Sequence, residues 1–198
     1  MTISDCEVRD PRIRRTRQLL QNALRNLMQS KAFDEISVQD IAEAATVNRA
    51  TFYDHYTDKF ALLDAMVAAG FHKLLEERSV GYDGSCASAA APVILAACDY
   101  LCEFHSNRSA CQTQSAFEPL SEAAMTSAIR RVLIGGMPQA KAPTGLSSEM
   151  IATTASWAIY GAVKAWFNTP DRPSAQEIVP IILRLVVPIL SCDRSEAG

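Results

Sequence analysis

The stretch Ser37–Lys59, SVQDIAEAATVNRATFYDHYTDK, decides how this chain is read. It reads as two short helices joined by a tight turn, with a third helix starting directly after. Ser37 with Asp40 three residues on, ahead of an apolar stretch, is the chemistry of a capping box. Ile41, Ala42 and Ala45 give the first helix its buried side, and Thr46-Val47 forms the turn. Asn48 is a good N-cap for the second helix, Arg49–Tyr56. Phe52 and Tyr56 lie one turn apart and face inward. That leaves Arg49, Ala50, Thr51, Asp54 and His55 pointing elsewhere, with Tyr53 at the flank. Thr57 is expected to cap the third helix, whose inner stripe is Phe60, Leu63, Val67, Gly70, Phe71 and Leu74, ending near Glu77.

Two helices crossing closely over Ala42, Ala45 and Val47, the second short and polar on its outer side, form a helix-turn-helix. Its second helix fits a DNA major groove. Arg49 has the fork to reach the O6/N7 edge of guanine, and Ala50 and the Thr51 methyl can pack on thymine methyls. Tyr53, His55 and Lys59 suit phosphate oxygens, as do exposed N–H groups at the helix starts near Ser37 and Thr57. Lys59→Ala is therefore expected to weaken all DNA sequences alike and lower the salt slope.

Outward from this stretch, residues 1–11 read as disordered. Arg12–Ser30 repeats Ile13, Leu20, Leu24, Leu27 and Met28 at helical spacing, and Ala32-Phe33-Asp34 breaks the helix. Gly81–Ser88 is the clearest linker, with a soft boundary near residues 75–85 that can fall inside the long fourth helix. Helical patterns follow over 89–106, 109–118, 121–134, 147–168 and 175–190. Turn-rich GGMPQAKAPTG (135–145) and TPDRP (169–173) separate the later ones. Pro188 is expected to end the last helix, and Pro180 to sit in its first turns or kink it. The fold class is all-α: an N-terminal three-helix helix-turn-helix domain, residues 1–58, and a C-terminal helical ligand-binding and dimerisation domain, residues 59–198.

Composition agrees. The 198 residues are 48% apolar and 21% charged, with net charge −3, which argues against indiscriminate coating of nucleic acid. Arg9, Arg12, Arg14, Arg15 and Arg17 make one basic end on an acidic body. No apolar run is long enough to span a bilayer and no secretory h-region is present, so a cytoplasmic location is expected. No HExxH, phosphate-cradling Gly-rich loop, GxSxG or paired-carboxylate constellation occurs, so an enzyme is not expected. No cofactor is called for.

Residues 37–65, SVQDIAEAATVNRATFYDHYTDKFALLDA, resemble the DNA-binding signature of tetracycline-repressor (TetR) type regulators. The matching positions are Ile41, Ala42, Ala45, Val47, Thr51, Tyr53, His55, Tyr56 and Lys59, and the likeness extends over roughly 12–75. The resemblance implies DNA contacts at Gln39, Arg49, Ala50, Thr51, Tyr53, His55 and Lys59. With Ser37 and Asn48 at the helix starts, these complete the candidate DNA-binding set. It further implies a homodimer, a palindromic double-stranded operator, and a small inducer bound in the C-terminal domain. Thr46 departs from the pattern, because the family's turn commonly has Gly there. A positive φ at a β-branched residue would be strained.

In the second half, helices 147–168 and 175–190 are the most apolar. Ile151, Thr154, Ala155, Ala158, Ile159, Ala162 and Trp166 on one, and Ile178, Ile181, Ile182, Leu185, Val186 and Ile189 on the other, make them the expected dimer helices. Two copies of a recognition helix held ~34–36 Å apart read successive major grooves. Candidate effector-pocket liners are Tyr100, Phe104, His105, Phe117, Met125, Ile129, Trp157 and Tyr160, which suggest an apolar or aromatic small molecule. Ordinary core accounts for the same letters.

There are six cysteines, with no CxxC pair. They read most simply as reduced core residues. Cys98, Cys102 and His105 share one helix face, so an alternative regulator of the same fold would sense a metal or oxidants through them. Core cysteines beside a hydrogen-bonded histidine explain that spacing equally.

Overall fold

The computed structural model describes residues 10–84, 86–106, 117–137 and 146–191. Among them there are eight α-helices and no strand: α1 (Pro11–Leu27), α2 (Val38–Ala44), α3 (Arg49–His55), α4 (Lys59–Glu77), α5 (Ala91–Ser106), α6 (Phe117–Gly136), α7 (Ser148–Phe167) and α8 (Ala175–Ser191). Short 3-10 turns occupy Phe33–Glu35 and Ala87–Ala90. The expected stretch 109–118 lies mostly outside the described residues, as do residues 1–9 and 138–145.

The chain divides into two compact units. One comprises residues 1–69 with 106–124, the other 70–105 with 125–198. The division falls inside α4, between Ala69 and Gly70, rather than after residue 58. A helix that continues through a change of packing partners offers the sequence no punctuation to mark it.

In the first unit, Asp10 caps α1 by accepting the Arg12 N–H at 2.9 Å, and Pro11 takes the first helical position. Proline is well suited there, since that N–H has no helical partner. The helix thus starts at Pro11 and stops at Leu27. Leu20, Leu24 and Met28 form its buried stripe, while Ile13 is exposed. They join Phe33, Ile36, Ile41, Phe52, Leu62 and Leu63, all almost fully buried. Burying such a side chain is worth roughly 1.5–3 kcal/mol. The inner stripe of α4 is one position out at its start: Leu62, Leu63, Met66 and Val67 are buried, and Phe60 is exposed, its ring edge-on to Phe33 at 5.6 Å.

In the second unit the core is Phe71, Val93, Ile94, Ile129, Leu133, Ile151, Ile159, Ile182 and Val186. Helices α7 and α8 pack on one another. Trp166 Nε1 donates to the Pro173 carbonyl at 2.8 Å, and Arg172 stacks on Trp166 and Phe167, which fixes the turn between them. Ser174 and Glu177 form a second reciprocal cap at the start of α8. Its Ser-x-x-Glu spacing was legible in the sequence. Pro188 does not end α8, which runs on to Ser191 with Pro180 and Pro188 both on its exposed side. There each missing N–H leaves a carbonyl one turn back that solvent can reach.

Candidate nucleic-acid interface

Ser37 and Asp40 set the start of α2. Asp40 accepts the Ser37 N–H at 2.8 Å and the Ser37 hydroxyl at 2.6 Å, and Ser37 Oγ accepts the Asp40 N–H at 3.1 Å. Lys31 Nζ adds a contact at 3.1 Å. These donors favour the charged carboxylate, the Ser37 hydroxyl foremost, and hold Asp40 down at about 2. Of the N–H groups at this helix start, that of Ser37 is already used inside the cap.

The turn that follows is a Schellman motif. Val47 N–H donates to Ala42 O and Thr46 N–H to Glu43 O, each at 3.0 Å. The left-handed position of the motif is Thr46, with φ 56°. The turn keeps the geometry that normally selects glycine and carries a β-branched residue in it. Ala42 and Ala45 are buried beneath it, which lets α2 and α3 approach.

Asn48 caps α3 by accepting the Ala50 N–H at 2.9 Å. Phe52 is fully buried and Tyr56 nearly so, held by Gln21, whose Nε2 donates to the Tyr56 hydroxyl at 3.2 Å. With that side anchored, Arg49, Ala50, Tyr53 and Asp54 are exposed, and Thr51 and His55 are half-buried. Arg49 and Tyr53 lie together: Arg49 Nη2 donates to the Tyr53 hydroxyl at 3.2 Å, and the guanidinium sits 5.6 Å from the ring centroid. Gln39 is exposed and donates to Glu43 at 2.7 Å.

Two expectations at the start of α4 are corrected. Asp58, not Thr57, caps the helix, accepting the Ala61 N–H at 2.8 Å. Lys59 does not extend toward a phosphate. Its ammonium donates to the carbonyls of Phe33 (2.9 Å), Asp34 (3.1 Å) and Ile36 (2.8 Å), over the Phe33 and Phe60 rings. An ammonium has three protons, and two carbonyls of the 3-10 turn with that of Ile36 just after it accept them.

A second basic surface lies on α1. Arg12, Arg14 and Arg15 are exposed, and Pro11, Arg14, Arg15, Gln18 and Leu19 line an open depression of about 310 Å³.

Of the expected effector liners, five have described side chains. Met125, Ile129 and Tyr160 are buried in the second unit. Tyr100 is half-buried, edge-on to Phe71 at 6.1 Å and against the Cα of Gly70. Trp157 is corrected: it is 49% exposed, on the outer face of α7. The side chains of Phe104, His105 and Phe117 lie outside the described residues. Cys98 is buried, and burial pushes its thiol up to about 12, so it is a neutral core group. Cys102 receives the Arg172 guanidinium at 3.8 Å. Among the described residues no three metal-ligating side chains converge, and no helix is long and apolar enough to cross a membrane.

Residues 20–66 match the family model described as bacterial regulatory proteins, tetR family. An HTH-type transcriptional regulator of Bacillus subtilis, YxbF, is 33% identical over 72 residues, which is 36% of this chain and 19% of that protein. DhaS of Lactococcus lactis, an activator of the dhaKLM operon, is 34% identical over 67 residues, 34% of this chain and 36% of that protein. The chain thus spans well under two thirds of the length of either relative. A TetR transcriptional regulator from Rhodococcus sp. RHA1 shares the fold, with a TM-score of 0.55 at 16% identity over 91% of this chain and 98% of that one. Over residues 20–66, this chain is similar to the tetR family of bacterial regulatory proteins.

Proposed function

We propose that this chain is a ligand-responsive DNA-binding regulator that grips a palindromic operator as a homodimer and is released from it by a small apolar or aromatic effector. One observation carries the DNA reading. Helix α3 is anchored by Phe52 alone in its interior, capped by Asn48, and leaves Arg49, Ala50 and Tyr53 exposed along one side. A rigid short helix with a guanidinium near its N-terminus has the shape and donors that major-groove reading requires. The residues proposed to face DNA are Gln39, Arg49, Ala50, Thr51, Tyr53 and His55, with Asn48 as the cap that aims them. Arg49→Ala is the test. It relaxes preference at one base pair of each half-site, whereas an equal loss on operator and random duplex rejects the base-reading role.

The dimer is proposed to form through α7 and α8. Met150, Trp157, Ile181 and Leu185 are large apolar side chains 49–63% exposed on these two helices. Large apolar side chains left exposed on two packed helices suit an interaction surface. A regulator that reads a palindrome needs a two-fold partner. The effector is proposed to bind in the second unit, near Tyr100, Met125, Ile129 and Tyr160. The proposed sign of control is repression. DhaS, a relative with a named operon, is an activator, so operator occupancy with and without effector decides the sign.

A further inference from the structure

Among the outward-facing residues of α3, two are joined to each other. Arg49 and Tyr53 sit one helical turn apart, hydrogen-bonded at 3.2 Å with the guanidinium over the ring. The ring is braced from below: Phe52, fully buried, meets it edge-on at 5.5 Å and 84°. Tyr53 itself is 48% exposed. A chain of support thus runs from the core through an aromatic ring to a charged fork at the surface. We propose that Tyr53 is a positioning residue for Arg49, holding its guanidinium in the rotamer that addresses a guanine edge, so that the pair reads one base pair as a unit.

This inference rests on the reading of α3 as the base-contacting helix. It differs from the phosphate role that the letters suggest for Tyr53. A free arginine samples many rotamers and loses that freedom when it docks on a base. Stacking on an aromatic face and one hydrogen bond restrict it beforehand. Of the five N–H donors of the guanidinium, the contact with Tyr53 uses one. The remaining edge can still make the bidentate contact with O6 and N7.

The experiment uses the full chain. Duplexes are selected from a randomised pool, and binding to the preferred duplex and each single-base-pair variant is then titrated at several salt concentrations. The proteins are wild type, Tyr53→Phe, Tyr53→Leu, Arg49→Ala and the Arg49→Ala/Tyr53→Leu double variant. Tyr53→Leu is expected to lower discrimination roughly three- to tenfold at the base pair that Arg49→Ala affects. It leaves the salt slope unchanged and adds nothing in the Arg49→Ala background. Tyr53→Phe, which keeps the stack and loses the hydroxyl, falls between. A uniform loss on all duplexes with a lower salt slope, or losses that add in the double variant, overturns the proposal.

A second measurement needs no DNA. The Nε–H order parameter of Arg49 in the free protein is expected to fall in Tyr53→Leu. No change there overturns the pairing itself. Failure of wild type to enrich any duplex, with the order parameter falling as expected, overturns the base-reading premise and the proposal with it.

Discussion

Lys59 and Ile36 are joined at 2.8 Å, ammonium to carbonyl, across 23 residues of sequence. With the neighbouring contacts to Phe33 and Asp34, this ties the start of α4 to the segment leading into α2. Lys59→Met is expected to lower unfolding free energy by about 1.5–3 kcal/mol, the range for hydrogen bonds to a charged group. The salt slope of DNA binding stays that of wild type. Urea unfolding and salt titration check both. A reduced slope with unchanged stability returns Lys59 to the phosphate role.

Thr46 stands at φ 56° in a motif built for glycine. Its side chain is exposed, so little packing is at stake. Thr46→Gly is expected to stabilise the chain by about 0.5–1 kcal/mol, the difference between left-handed strain and the extra backbone entropy of glycine. A lower urea midpoint for Thr46→Gly would show that the Thr46 side chain has a role of its own.

Asp40 is held at about 2 by its capping partners, below its ordinary 3.8. A depressed carboxyl stabilises the fold above its unfolded-state pKa, and that contribution is lost as pH falls through the folded one. The stability gap between wild type and Asp40→Asn is therefore expected to be constant above about pH 4–5 and to close toward about pH 2. Denaturation midpoints across that range measure it. A gap that keeps its size at the acid end contradicts the capping role.

Cys98 and Cys86 sit in opposite environments, one buried with its thiol pushed up to about 12, the other exposed. Since the thiolate is the reactive form, alkylation at pH 8 followed by peptide mass spectrometry is expected to label Cys86 early and Cys98 only on unfolding. Early labelling of Cys98 would revive a sensing role for it.

Trp157, 49% exposed on α7, is the natural centre of the proposed dimer face. Trp157→Glu is expected to raise the dimer dissociation constant at least about 30-fold, as for a buried aromatic anchor at an interface. Helicity stays unchanged. Sedimentation equilibrium with circular dichroism tests this. A dimer of undiminished affinity places the interface elsewhere.

Much of the site was legible because its devices are local. The Ser37–Asp40 box, the Asn48 cap and the inward pair Phe52/Tyr56 depend on spacings of three or four residues, which the letters display directly. Lys59 was misread because its partners are main-chain oxygens far upstream, and backbone carbonyls leave no mark in a sequence. Trp157 was misplaced because α7 is apolar nearly all round. Periodicity then cannot say which side meets the core. Phe60 follows the same helical spacing as the buried residues of α4 yet lies outside, against Phe33 and the Lys59 ammonium.

The anchoring of α3 through Phe52 has a consequence for how such a chain changes over time. Positions 49, 50 and 53 lie outside the hydrophobic interior, so, on the proposed reading of α3, replacing them alters what is recognised at little thermodynamic cost to the scaffold. Target preference can drift, or be re-engineered by exchanging three letters, while the architecture beneath stays as it is.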